Sequence, residues 1–219
     1  MKKILISLTI LATSAAIISG ITIAYFSDTE TSENNTFATG TMDLDIYGGD
    51  APVTTMTLLN KAPGDSGAEI GTTLKNSGSL AGELDVAVGA VTNYPCTDTT
   101  YGKHDGTEYC TSNAGSLGAN AEMALYIDID KNDAYDNGTD IGLKSDGTIY
   151  ASGALDYDAI DNYSGKIWDP SNNGVVTIAT GVEYNFVIDW QIPTSAGNEI
   201  QGDALKFDIT FTLEQAGKD

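Results

Sequence analysis

Behind an apolar start, the chain alternates. In LKFDITFTLEQ, Leu205, Phe207, Ile209, Phe211 and Leu213 take every second position, with Lys206, Asp208, Thr210, Thr212 and Glu214 between them. EYNFVIDWQIP puts Tyr184, Phe186, Ile188, Trp190 and Ile192 on one face in the same way. MDLDIY (Met42, Leu44, Ile46), ELDVAV (Leu84, Val86, Val88) and EMALYIDI (Met123, Leu125, Ile127, Ile129) repeat the pattern. Successive side chains of a strand point to opposite faces, so this period predicts strands with one face on a core and one in water. No stretch after Ala24 keeps a helical period over three turns. Glycine-rich breaks (YGGD, APGDSG, KNSGSLAG, SDGT, SNNG) separate the strands at short intervals. The expected fold is all-β: an antiparallel β-sandwich of jelly-roll type, preceded by an N-terminal signal or transmembrane helix.

The start is of another kind. Lys2 and Lys3 precede Ile4 to Ala24, a run without charge. That is the layout of an export signal, and the run is also long enough to span a bilayer, which takes about 20 apolar residues. Ser19, Gly20 and Thr22 weaken its second half, which favours cleavage between Ala24 and Tyr25 over retention as an anchor. The expected organisation is a signal peptide at 1–24, an extended segment at 25–35, a sandwich domain at 36–215 and a tail at 216–219. Residues 92–121, polar and holding both cysteines and the single histidine, read as a loop insertion, and so do residues 156–174.

Formal charge is -21 at pH 7, and all ten basic residues are lysine. Such a surface repels phosphate backbones and anionic lipid heads, which excludes nucleic acid as a partner and leaves membrane contact only before cleavage. The two cysteines, Cys96 and Cys110, lie fourteen positions apart in a chain expected outside the cell. A disulfide is the favoured reading, and closing a loop of that size contributes about 3 kcal/mol.

Three stretches then carry a resemblance: AYFSDTETSENNTFATGTMDLDI at 24–46, APGDSGAEIGTTLKNSGSLAGELDVAV at 62–88, and AGNEIQGDALKFDITFTLEQ at 196–215, with DWQIP ahead of it. In their order and spacing the chain resembles the TasA/camelysin family of exported bacterial and archaeal proteins. The resemblance implies a jelly-roll fold and export through a dedicated signal peptidase. TasA-like members polymerise into matrix fibres or pili by lending an N-terminal strand to the next subunit. Here Tyr25, Phe26, Ser27, Asp28, Thr29, Glu30 and Thr31 are the expected donor strand: extended-compatible, free of proline, with an apolar hook at Tyr25-Phe26. Held to the membrane segment the hook cannot reach a neighbour; cleavage after Ala24 frees it. The expected protein is therefore a secreted structural subunit of the cell surface or biofilm matrix, with identical subunits in a head-to-tail filament as its partners. The alternatives are a camelysin-type surface metallopeptidase and a monomeric adhesin or ligand-binding module.

The chemistry favours the first. A zinc peptidase of the HExxH kind needs two histidines on one helical face, and the chain has only His104. Nucleophile motifs such as GxSxG are missing. No catalytic residue is expected. DIDKNDAYDNGTD, by contrast, sets Asp128, Asp130, Asn132 and Asp136 at positions 1, 3, 5 and 9 of a calcium-loop count. The Ala134 carbonyl falls at position 7 and Asp140 one past position 12. Calcium takes six to eight oxygens from such a turn, so it is the expected cofactor. Asp133 stands where such loops carry glycine, and strands rather than helices flank the turn. Without an ion the carboxylates repel, so a loose loop is expected. Asn34, Asn137 and Asn162 each open an N-x-[ST] triplet, the acceptor pattern for glycosylation.

Overall fold

The alternating stretches form strands. In a computed structural model of the chain, the described residues are 41–46, 53–98, 100, 115–169 and 176–215. The signal segment, the cleavage point at Ala24 and Tyr25, the donor segment, Asn34, His104, Cys110 and the tail lie outside them. Among the described residues, no helix is long and apolar enough to cross a membrane.

The strands are β1 (Leu44–Ile46), β2 (Val53–Leu59), β3 (Ser66–Asn76), β4 (Gly82–Val88), β5 (Thr92–Tyr94), β6 (Glu122–Asp128) and β7 (Ile141–Leu143). After them come β8 (Ile149–Tyr150), β9 (Asp158–Ala159), β10 (Ile167–Trp168), β11 (Thr177–Ile178), β12 (Glu183–Gln191) and β13 (Ala204–Gln215). They make two antiparallel sheets. The first runs β1-β3-β12-β6-β7-β8, with β9 also on β6. The second runs β10-β4-β13-β2, with β11 on β4 and β5 on β13. β1 to β4 switch sheets at every step, so each connection crosses the sandwich.

The predicted faces are the buried ones. Phe186, Ile188 and Trp190 of β12 and Met123, Leu125 and Ile127 of β6 are buried in one core with Leu205, Phe207, Ile209 and Phe211 of β13. Leu84, Val86 and Val88 of β4 join them. Phe186 meets Phe211 edge to face across the sheets, centroids 5.0 Å apart. Each such side chain contributes about 1.5–3 kcal/mol by leaving water. Met42 is the exception: it precedes β1 and stays exposed.

The KNSGSLAG turn is built around Asn76, which is fully buried. Its Nδ2 donates to Leu80 O (2.7 Å) and Ile178 O (2.9 Å), and its Oδ1 accepts from Gly78 N (3.0 Å). Gly78 has to be glycine because a Cβ would run into the backbone of Thr41, Met42 and Asp43.

The two presumed insertions are tied in more firmly than their composition suggests. Within 92–121, β5 pairs with β13, and a helical turn, α1 (Leu117–Asn120), buries Leu117. Within 156–174, β9 pairs with β6 and β10 with β4, while Ile160, Tyr163 and Trp168 are buried. A few apolar residues at the stems suffice to dock segments that are polar on average.

Candidate metal centre

The calcium-spaced residues occupy the turn between β6 and β7. Asp128 is the last residue of β6 and Asp140 immediately precedes β7, so the ends of the turn are set by the pairing of Ile127 with Ile141. Both carboxylates are fully buried, and Asp130 is exposed. One carboxylate oxygen from each of Asp128, Asp130 and Asp140 lies within 4.8 Å of the others, close enough to share one cation.

Backbone N–H groups hold the two buried acids. Asp128 accepts from Lys131 N (2.7 Å) and Asp133 N (3.0 Å). Asp140 accepts from Ile129 N (2.9 Å) and Asp136 N (2.7 Å). The turn was expected to be loose when empty; these four bonds give it a definite path. Asp133 adopts a left-handed φ of 64°, the conformation glycine takes in such turns, and Lys131 does the same at 60°. The missing glycine therefore does not change the path of the backbone.

Asn132 sits among the acids. Its Nδ2 donates to Asp130 Oδ2 (3.1 Å) and to Asp136 Oδ2, and its Oδ1 accepts from Ala134 N. The amide N–H groups thus bridge the carboxylates of Asp130 and Asp136. Partial desolvation, with the carboxylates of Asp128, Asp140 and Asp136 nearby, raises the pKa of Asp130. A cation would relieve that repulsion. A second network ties the turn to the sheet: Asn185 Nδ2 donates to Asp133 Oδ1 (3.3 Å), and Asn185 Oδ1 accepts from Thr73 Oγ1 (3.0 Å). Lys131 and Lys75 both bind Glu183, at 2.9 and 3.2 Å, and lower its pKa.

The turn rests on a layer that period two does not predict. Ala124, Tyr126 and Asp128 of β6 and Val187 of β12 point away from the core and are nevertheless buried. Tyr135 packs edge-on against Tyr126, centroids 5.4 Å apart, and Tyr150 lies 6.1 Å from Tyr135. Tyr150 crosses the partner position Gly142, where a Cβ would run into its ring. Burial raises the hydroxyl pKa of Tyr126 and Tyr157 and pushes Tyr150 up to about 12. Asp189, beside Tyr157, is raised by the same burial. The signal in the sequence was small: two of the outward positions on β6 are Ala and Tyr rather than charged residues.

The other expected sites are separate. Cys96 is buried and disulfide-bonded, and its N–H donates to Asp203 Oδ1 at 2.9 Å. Asp203, itself fully buried, also accepts from Ser116 N at 2.7 Å, so one carboxylate holds both ends of the stretch between them. Asn137 and Asn162 are exposed; Asn137 Oδ1 accepts from Gly153 N and Asn162 Nδ2 donates to Asp158 Oδ1.

The profile of the camelysin metallo-endopeptidase family matches residues 1–219. No curated protein and no solved structure matches the chain.

Proposed function

Given that the chain belongs to the camelysin metallo-endopeptidase family, whose members are exported, we propose that it is a structural subunit of the cell surface or biofilm matrix. It polymerises by strand donation and binds calcium at the β6–β7 turn. The observation that carries this reading is a pair of sheet edges with little or no further pairing among the described residues. The outer edge of β3 pairs with β1 only over Leu74–Asn76, and β2 ends the second sheet with β13 as its one partner among the described residues. A sheet edge of that length is a template for another strand. Residues 25–35 supply a proline-free segment of the kind such an edge accepts. Head-to-tail lending does not close on itself, so it propagates as a filament.

The family name implies a catalytic metal. The donors that converge here are carboxylates, with Asn132 beside them. Oxygen donors suit a hard cation such as calcium, whereas catalytic zinc draws on histidine, and the chain's one histidine, His104, cannot make a two-histidine site. The residues do not fit a zinc peptidase of that kind, and the reading is non-enzymatic. Electron microscopy of the exported chain, with and without Tyr25 to Asn34, tests it. Filaments only from the intact chain are expected. Absence of filaments from the intact chain, with casein cleavage that a chelator stops, would make it a peptidase instead.

A further inference from the structure

Two of the three N-x-[ST] triplets fall on described residues, Asn137-Gly138-Thr139 and Asn162-Tyr163-Ser164. Both asparagines are exposed, so exposure alone does not separate them. Attachment of a sugar asks for more. The side-chain amide nitrogen has to be free to react, and the hydroxyl two residues on has to be within an enzyme's reach. The backbone between them has to enter the enzyme's cleft.

The second triplet meets none of these demands. Asn162 Nδ2 donates to Asp158 Oδ1 at 2.9 Å. Tyr163 is fully buried, with its ring 6.2 Å from that of Trp168, centroid to centroid. Ser164 Oγ accepts from Val91 N at 3.1 Å. Presenting this triplet to an enzyme means pulling Tyr163 out of the core.

The first triplet meets all three. It closes the turn between β6 and β7, just ahead of Asp140. Asn137 Oδ1 accepts from Gly153 N at 2.8 Å, which fixes the orientation of the amide. Its Nδ2 is left without a hydrogen-bond partner among the described residues. Gly138 sits at a φ of 90°, and a Cβ there would meet nothing within 4 Å. Thr139 is exposed, and its Oγ1 has no partner among the described residues either.

We propose that Asn137 is an N-glycosylation site of this chain and that Asn162 is not. The donor class is an oligosaccharide carried on a polyprenyl phosphate or pyrophosphate, on the outer side of the membrane where an exported chain arrives. A bond forms between the sugar C1 and Asn137 Nδ2 as the C1–O bond to the lipid phosphate breaks. The phosphate leaves with the electron pair, and Nδ2 gives up one proton. A glycan is bulky and solubilising. Standing beside the acidic turn, it keeps that side of the sandwich in water.

Trypsin separates the two triplets, since Lys131, Lys144 and Lys166 bound the peptides 132–144 and 145–166. In the protein exported by its own host, mass spectrometry should find a sugar on peptide 132–144 and the bare mass for peptide 145–166. Thr139→Ala removes the acceptor hydroxyl but keeps Asn137 and its bond to Gly153. It should strip the modification and leave the melting temperature within a few degrees. Offered to a purified oligosaccharyltransferase with its lipid-linked donor, the folded chain should be modified at Asn137 alone, and its tryptic digest at both sites. A bare peptide 132–144 from the host would overturn the assignment. So would a gain there no larger than amide hydrolysis at Asn137-Gly138, or a sugar on peptide 145–166.

Discussion

The outer faces of the two sheets were built from the same alternation and have opposite fates. On the second sheet, Thr55, Asp208 and Thr212 point away from the core and are exposed, with Thr55 Oγ1 donating to Asp208 at 2.6 Å. On the first, Ala124, Tyr126, Asp128 and Val187 point away from the core and are buried. The difference is the chain between β6 and β9, which folds back so that Tyr135 packs on Tyr126 of β6 and Tyr150 on Tyr135 and Gly142 of β7. The turn of acids sits at the end of that cover. Alternation therefore tells which residues share a face, but not whether the second face meets water.

A charge placed on each surface in turn would break or sharpen the comparison. Phe211→Asp, on the face both sheets share, should abolish the cooperative thermal transition, since an unpaired buried charge is among the costliest changes a core can take. Retention of a wild-type melt would remove the common core. Ala124→Asp, on the covered outer face, should cost more than about 3 kcal/mol for the same reason, whereas Thr212→Lys on the open outer face, opposite Asp85, should stay within about 0.5 kcal/mol. Urea unfolding of the pair decides it; equal losses would mean the two faces are alike.

The cover itself can be probed more gently. Gly142→Ala pushes a methyl into the Tyr150 ring and should cost about 1–3 kcal/mol, with loss of the near-ultraviolet tyrosine signal if the ring is displaced. Calcium, binding the folded turn alone, should stabilise by about 2.7 kcal/mol at a hundredfold excess over its dissociation constant. Asp130→Asn should weaken that increment, because Asp130 touches the turn but not the core; an unchanged calcium response would take Asp130 out of the site. Asp128→Ala is the poorer test, since it also strands two backbone N–H groups.

The smallest effect is acid sensitivity at the edge of the cover. Asp158 accepts from Ser145 Oγ first, and from Asn162 and its neighbouring backbone, and its pKa is lowered from the ordinary carboxylate value. A depressed folded-state pKa contributes stability that is present above the unfolded value near 3.8 and is lost as pH falls through the folded one. Asp158→Asn should flatten that acid limb in melts between neutral pH and strong acid, because it lowers the neutral plateau toward the acid level. A limb as steep as the parent's would assign the acid loss elsewhere.

Much of the fold was legible because strand alternation is local. Leu205 to Phe211, Phe186 to Trp190 and Leu84 to Val88 were placed on the core face by position alone, and they are there. The candidate metal turn was legible as well, because spacing along a short loop limits which side chains can meet; Asp128, Asp130 and Asp140 do meet. Asn132 and Asp136 join them through one amide, and the placing of Asp133 in the left-handed region follows from the tolerance of short polar residues for it. The tyrosine layer and the docking of β5, β9 and β10 were not legible. Each depends on which distant segment comes to lie against a given face.

By itself, then, the sequence determined a β-sandwich with a known inner face, an acidic turn of calcium spacing and an uncharged run behind two lysines. All of these are properties of neighbours within a dozen residues, where the backbone's own geometry dictates who can touch whom. The tertiary structure alone decided that one outer face is covered and the other exposed, that Asp128 and Asp140 are buried under backbone donors, and that β1 pairs with β3 only over Leu74–Asn76 among the described residues. These depend on contacts between residues far apart in the chain, and a local pattern is equally compatible with a face in water and a face under another segment.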